Sequence, residues 1–250
     1  MSVRAPQGYV TVERAGATII TRHELADAMM QITAHGTIHE WAAAQQDTRV
    51  LQGRLPAYAV TLPFDGPPVV VRRNHHGGWL AHIRGDRFFA RRMPYELFAS
   101  LILLQAGVPT AAVVAHATYR INALERRIDV VTLELPAGRD FGAALLEDAS
   151  HDVRTARWAA VTRLLDTLAA KGVWHQDLNV KNIYLIEPPD TPPLAVLLDV
   201  DRVRFHPPGA LVARANASRL VRSLRKWRDT RGAAVSAQDL RLVTSAASGA

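Results

Sequence analysis

The sequence predicts an α+β protein in two lobes, β-rich over residues 1–135 and helical over residues 136–250. Three observations carry that division. Short apolar runs bounded by turn residues fill the first half and read as strands, Val69-Val70-Val71 being the clearest. Apolar residues at helical spacing dominate the second half, as in Trp158, Val161, Leu165 and Leu168. Between the halves, Glu134-Leu135-Pro136-Ala137-Gly138 has the Pro and Gly content of a connector, and it is the expected hinge.

Taken in order, residues 1–41 read as an N-terminal extension, irregular apart from one helix over 22–31. His35 and His39 stand at a spacing that can place two ligands on one helix face. Gly36 interrupts them and no third ligand is near, so chance spacing is the better account. Residues 51–62 and 67–73 read as strands, with Gln52-Gly53-Arg54 making a turn. Arg72 closes the Val69-Val70-Val71 run. Asn74 to Gly78 is a second turn, and Arg84, Arg87, Arg91 and Arg92 make the following segment basic.

Residues 94–106 have helical periodicity, with Leu97, Leu101 and Leu104 on one face, Pro94 in the first turn and Gly107 as C-cap. Glu96 sits in the first turn, where the helix dipole favours an acid. Strands follow at 111–115 and 128–133. Beyond the connector, an amphipathic helix over 156–171 stops at Gly172. A basic helix over 211–228 carries Arg214, Arg219, Arg222, Arg225, Lys226 and Arg228 around Leu220, Leu224 and Trp227. Ser236-Ala237-Gln238-Asp239 is a capping box for a short last helix.

Composition narrows the function classes. The chain has no cysteine, which excludes disulfides and thiolate metal sites. It shows no charged-then-apolar leader and no apolar run long enough to span a bilayer, so retention in the cytoplasm is the expectation. A formal net charge of +7, mostly from arginine, favours anionic partners such as a nucleotide, a phosphorylated lipid or a membrane surface. No nucleic-acid partner is expected, because the basic residues are dispersed and no DNA- or RNA-binding motif accompanies them.

The chemistry concentrates in one stretch. His175-Gln176-Asp177-Leu178-Asn179-Val180-Lys181-Asn182 has the His-x-Asp-Leu-x-x-x-Asn pattern of kinase-type catalytic loops, in which the Asp meets the substrate hydroxyl and the Asn holds a metal ion. Asp199 follows an apolar run, where such folds end a buried strand in a Mg²⁺-binding Asp. Asp and Asn also populate ordinary turns. The complete pattern together with a second carboxylate at this spacing favours catalysis. In the same frame, Gly53 falls where a glycine-containing loop covers phosphates, Arg72 where a basic side chain grips them, and Glu96 where a carboxylate orients that side chain.

These residues, with Val71-Arg72, Gly77-Gly78, Ala106-Gly107-Val108-Pro109 and Leu197-Leu198-Asp199-Val200-Asp201, resemble the 3-deoxy-D-manno-octulosonic acid (Kdo) kinases of the bacterial lipopolysaccharide kinase group. The resemblance runs from about Gly53 to Arg225. Leu55 and Pro56 stand where that group often has Gly and a small residue. The resemblance implies a two-lobed protein-kinase-like fold that transfers a phosphoryl group from ATP to a hydroxyl of Kdo on a lipid A precursor, on the cytoplasmic face of the inner membrane. It implies Asp177 as catalytic base, Asn182 and Asp199 as Mg²⁺ ligands, and Gly53, Arg72 and Glu96 at the nucleotide. A kinase acting on heptose, a small-molecule sugar or a protein hydroxyl is the alternative within the fold, and a pseudokinase that binds nucleotide without turnover is the alternative outside catalysis.

Overall fold

The computed structural model describes residues 4–14, 16–51, 56–75, 86–89 and 93–246. The chain divides into two compact units, one of Met1–Phe98 with Ala112–Glu134 and one of Ala99–Ala111 with Leu135–Ala250.

The first unit is built on an antiparallel sheet of β1 (Tyr9–Arg14), β2 (Ala17–Arg22), β3 (Arg49–Leu51), β4 (Ala57–Thr61), β5 (Pro68–Arg73), β6 (Phe88–Phe89), β7 (Val113–Arg120) and β8 (Glu125–Leu133). Their order is β1-β2-β7-β8-β5-β4-β3, with β6 also pairing to β8. Side chains alternate faces along a strand. Val69 and Val71, Ala115 and Ala117, and Val131 therefore present one apolar face, and Met29, Ile32, Ile38 and Ala42 pack into the same buried cluster. Those four come from helices α1 (Ala26–Ile32) and α2 (Ile38–Ala44).

This corrects the expectation for residues 1–41. The extension is not irregular: it supplies two strands, two helices and much of the core. Its strands escape sequence reading because Tyr9–Arg14 and Ala17–Arg22 are rich in Thr, Arg and Glu, and only pairing of Ala17 through Thr21 with β7 completes them. His35 is exposed in the turn before α2 while His39 lies within it, so the two histidines share no helix.

A buried acid joins extension to sheet. Asp129 of β8 is fully buried, accepts the His39 amide at 3.0 Å and binds Arg73 Nε at 3.0 Å. Arg73 also donates to Thr37 Oγ1 at 2.6 Å, and Thr37 caps α2 in a capping box with Glu40. Burial and the Asp129 charge push the Tyr119 hydroxyl far above the usual phenol range, and that oxygen accepts the Ile38 amide at 2.8 Å. A buried charge is tolerable only when so many donors compensate it.

Helix α3 (Tyr95–Gln105) begins in this unit. Its buried leucines are Leu97 and Leu103, whereas Leu104 is 39% exposed. The expected face of Leu97, Leu101 and Leu104 is therefore not the one chosen. The helix is apolar nearly all round, so periodicity alone cannot select a stripe.

The second unit contains β9 (Gly138–Asp140), α4 (Phe141–Leu145), α5 (His151–Ala170), β10 (Val173–His175), β11 (Ile183–Ile186), β12 (Leu194–Leu197), β13 (Val203–Phe205), α6 (Ala210–Arg231) and α7 (Ala237–Ala246). Trp158, Val161, Leu165 and Leu168 are buried as the sequence predicts, as are Leu220 and Leu224. The Ser236 capping box forms, with Ser236 N donating to Asp239 Oδ2 at 2.7 Å and Asp239 N to Ser236 Oγ at 3.1 Å. Gly172 lies just past the end of helix α5, its φ is +66°, and a Cβ there would collide with the His206 carbonyl oxygen. Only glycine fits that turn. The chain enters β10 from it.

Candidate active site

Two short pairings in the second unit place the chemical residues. Strand β10 pairs antiparallel with β13, His175 opposite Val203. Strand β11 pairs with β12, Ile183 opposite Leu197, and the ladder continues as Leu198 N donates to the Asn182 carbonyl at 2.9 Å. Asn182 and Asp199 thus stand at the same end of one hairpin, joined through backbone.

His175 is the hub. It is fully buried, its amide donates to Asn216 Oδ1 at 3.0 Å, and Asn216 Nδ2 donates back to the Val173 carbonyl at 2.8 Å. Its Nδ1 accepts the Asp177 amide at 3.2 Å, and its Nε2 lies 3.1 Å from both the Leu198 and Asp199 carbonyl oxygens. An acceptor role at Nδ1 and carbonyl partners at Nε2 assign the neutral tautomer protonated on Nε2. Burial lowers the His175 pKa, against the opposing pull of the Asp199 charge and the two carbonyls. One neutral ring thereby ties the backbones of both candidate carboxylates.

The side chains behave differently. Asn179 and Asn182 each donate an amide proton to the Asp177 carbonyl, at 2.8 and 2.9 Å, and Asn179 Oδ1 accepts the Lys181 amide at 2.9 Å. Leu178 and Val180 anchor the loop in the core. The carboxylates of Asp177 and Asp199 are exposed and make no hydrogen bond or ion pair among the described residues, and with Asn182 Nδ2 engaged its Oδ1 accepts no hydrogen bond among them either. Asp199 adopts φ 56° and ψ 51°, the left-handed region, which Asp tolerates better than most residues but which still carries strain.

A Mg²⁺ ion suits this donor set. Among the described residues no group of three or more His, Cys, Asp or Glu forms a ready-made cage. Mg²⁺ is commonly held by one or two protein oxygens, its remaining positions being filled by water and substrate phosphates. Asn182 Oδ1 and the Asp199 carboxylate are hard oxygen donors of that kind.

In the first unit, Arg72 of β5 stands opposite Ala57 and Val130. Its Nη2 pairs with Glu96 Oε1 and its Nη1 donates to Asn74 Oδ1 at 2.8 Å. Glu96 is 5% exposed, and its second oxygen, Oε2, is buried without a hydrogen-bond partner among the described residues. Gly53 lies outside the described residues, as do Gly77, Gly78, Arg84, Arg91 and Arg92.

Sequence reasoning missed Asn216, the residue that fixes the strand entering the loop. An Asn among the Ala, Leu, Val and Arg of residues 210–217 was the available signal. It also missed the Asp129 network, whose members come from four separate segments.

Comparison with known proteins brings the fold and the loop together. Among curated proteins nothing matches this chain. Among solved structures, WaaP in complex with acyl carrier protein is 16% identical, covers 92% of this chain over 88% of its own, and superposes with a TM-score of 0.58, a likeness of fold. The family model for the lipopolysaccharide kinase (Kdo/WaaP) family matches residues 41–245. That match spans most of the sequence and includes the whole of the loop and hairpin described above, so the chain belongs to the lipopolysaccharide kinase (Kdo/WaaP) family and is a phosphotransferase of kinase-like fold.

Proposed function

We propose that this protein transfers the γ-phosphoryl group of ATP to a hydroxyl of Kdo carried on a lipid A or lipopolysaccharide inner-core acceptor. The observation that carries the reading is the division of labour around His175: the backbones of Asp177 and Asp199 are fixed by one buried ring while their carboxylates remain free for ligands. Asp177 positions the acceptor hydroxyl and takes its proton. Asn182 and Asp199 hold Mg²⁺, which when bound neutralises phosphate charge. Arg72, oriented by Glu96, binds the nucleotide phosphates as a fork, and Gly53, outside the described residues, is assigned to the same nucleotide. Nucleotide binding is thus assigned to residues 1–135 and catalysis to 136–250.

A lipid-borne acceptor requires a visit to the membrane surface. No helix among the described residues is long and apolar enough to cross a membrane. The exposed arginines of α6, with Leu211 82% exposed at its start, support peripheral binding to the anionic cytoplasmic face of the inner membrane.

The test is to incubate the protein with ATP, Mg²⁺ and separate Kdo-bearing, heptose-bearing and peptide acceptors, following phosphate by mass spectrometry. Phosphorylation of the Kdo acceptor is expected. Transfer to heptose or peptide alone would move the assignment to the alternative acceptors. Nucleotide binding with no transfer to any would leave a pseudokinase, a reading that the presence of Asp177, Asn182 and Asp199 together disfavours.

A further inference from the structure

A second basic concavity lies far along the sheet of the first unit, at the end where the N-terminal hairpin meets β7 and β8. It is an open hollow of about 410 Å³ lined by Glu13, Arg14, Thr18, Thr118, Arg120 and Arg126, with Gly16 and Ala17 at the hairpin turn. The sheet register explains how these residues meet. Glu13 stands opposite Thr18, Thr18 opposite Thr118, and Arg120 opposite Arg126. Thr118 and Arg120 are two apart on β7, so all five share one face. Arg14 joins them at the rim, and the Arg120 amide donates to the Gly16 carbonyl at 3.1 Å, which closes the hairpin end onto β7.

The charge arrangement is unfavourable as it stands. Like charges directly opposite on neighbouring strands destabilise a sheet, and Arg120 and Arg126 are such a pair. Arg126 is partly occupied: its Nη1 donates to the carbonyls of Asn122 and Glu125 at 2.5 and 2.9 Å. The guanidinium groups of Arg14 and Arg120 make no hydrogen bond or ion pair among the described residues, and Glu13, the only carboxylate in the lining, pairs with none of the three arginines. Three guanidinium groups beside two threonine hydroxyls, converging on a hollow, match the donor set that binds a phosphate group. Glu13, Arg14, Gly16, Ala17 and Thr18 all precede the segment matched by the family model, which begins at residue 41. The extension therefore adds this hollow to the kinase-like lobe.

We propose that the concavity of Arg14, Thr18, Thr118, Arg120 and Arg126 is a binding site for a phosphate monoester, separate from the residues assigned to ATP and acceptor. Arg120 supplies the principal contact, Arg126 and Arg14 add charge, and the threonine hydroxyls donate to the remaining oxygens. Glu13 opposes binding and sets an upper limit on affinity.

Amide NMR titration with inorganic phosphate and with glucose 6-phosphate, in the absence of nucleotide and Mg²⁺, reads the site at Thr18 and Thr118. Shifts at both amides are expected. Arg120→Gln should weaken the affinity by about tenfold, as the loss of a charge-assisted hydrogen bond implies, while Glu13→Gln should tighten it, a change of opposite sign that a misfolded variant would not give. The source of the phosphate is distinguished by vesicles of phosphatidic acid: perturbation of the same amides by vesicles but weakly by the soluble ester assigns a lipid headgroup, and the reverse assigns a small metabolite. Absence of shifts at Thr18 and Thr118 with every probe, or equal affinity in wild type, Arg120→Gln and Glu13→Gln, overturns the proposal.

Discussion

The two units hold their candidate chemical groups in opposite ways. In the first, Arg72 and Glu96 are tied to each other by their side chains, Glu96 is buried, and one of its oxygens has no partner among the described residues. In the second, Asp177, Asn182 and Asp199 are tied through backbone atoms or a spare amide, and their side-chain oxygens make no hydrogen bond among the described residues. A pair whose side chains neutralise each other can orient a charge but must share it with any ligand. Groups held by their backbones keep full charge for the reaction, at the expense of strain, as at Asp199. Positioning by side chain and positioning by main chain should therefore fail differently when disturbed.

The largest expected effect is at the free carboxylates. Asp177→Asn should lower turnover by at least ~10²-fold with ATP binding largely intact, because it removes the proposed proton acceptor and leaves the loop backbone in place. Asp199→Asn should lower turnover and also raise the Mg²⁺ concentration needed, since it weakens a proposed ligand of a hard cation. Kinetics against a Mg²⁺ series separate the two, and identical behaviour of both variants would erase the distinction drawn between base and metal ligand.

Breaking the backbone support comes next. Asn216→Ala leaves the His175 amide and the Val173 carbonyl buried without partners. A loss of about 3 kcal/mol of stability is expected from two orphaned groups, measurable by urea denaturation. A loss within error of zero would mean that the strand is held by packing alone.

The side-chain pair should be more forgiving. Arg72→Ala is expected to raise the ATP dissociation constant by roughly tenfold, and Arg72→Lys to recover part of it, because an ammonium restores charge but not the fork that meets both Glu96 and phosphate. Full recovery by Lys would show that charge alone is read. Isothermal titration with a nonhydrolysable ATP analogue decides it.

The smallest effect is the pH response of the hub. The His175 pKa is lowered from 6.5 by burial. The unfolded chain then takes up a proton at a higher pH than the folded chain does, so stability is full above about pH 6.5 and declines as pH falls toward the lowered folded value. Protonation would also set an N–H at Nδ1 against the Asp177 amide. His39, whose pKa is lowered by burial and Arg73, adds to the same slope. Thermal unfolding at pH 7.5 and 5.5 should therefore differ more in wild type than in His175→Gln. Equal slopes would place the pH response elsewhere.

The features legible without the fold lie in contiguous residues. The loop from His175 to Asn182, the stripe of α5 with its Gly172 stop, the Leu220 and Leu224 stripe of α6 and the Ser236 cap are all encoded within a few neighbouring positions, so spacing and local hydrogen-bonding chemistry suffice to read them. Arg72 and Glu96 are legible only within the kinase-type frame that the His175–Asn182 loop sets, since nothing local links a strand end to a helix turn 24 residues later. Tertiary structure decided the rest. Residues 1–41 became strands and helices because β7 offered an edge and the sheet an apolar face. Helix α3 buried Leu103 rather than Leu104 because an apolar cylinder has no preferred side until something packs on it. Asp129 could be buried because Arg73, His39 and Tyr119 arrived from separate segments to receive its charge, and His175 became a hub because Asn216, 41 residues away, met its backbone. Local patterns carry their partners with them in the sequence, whereas a buried polar group states only that partners must exist, and folding alone supplies which ones.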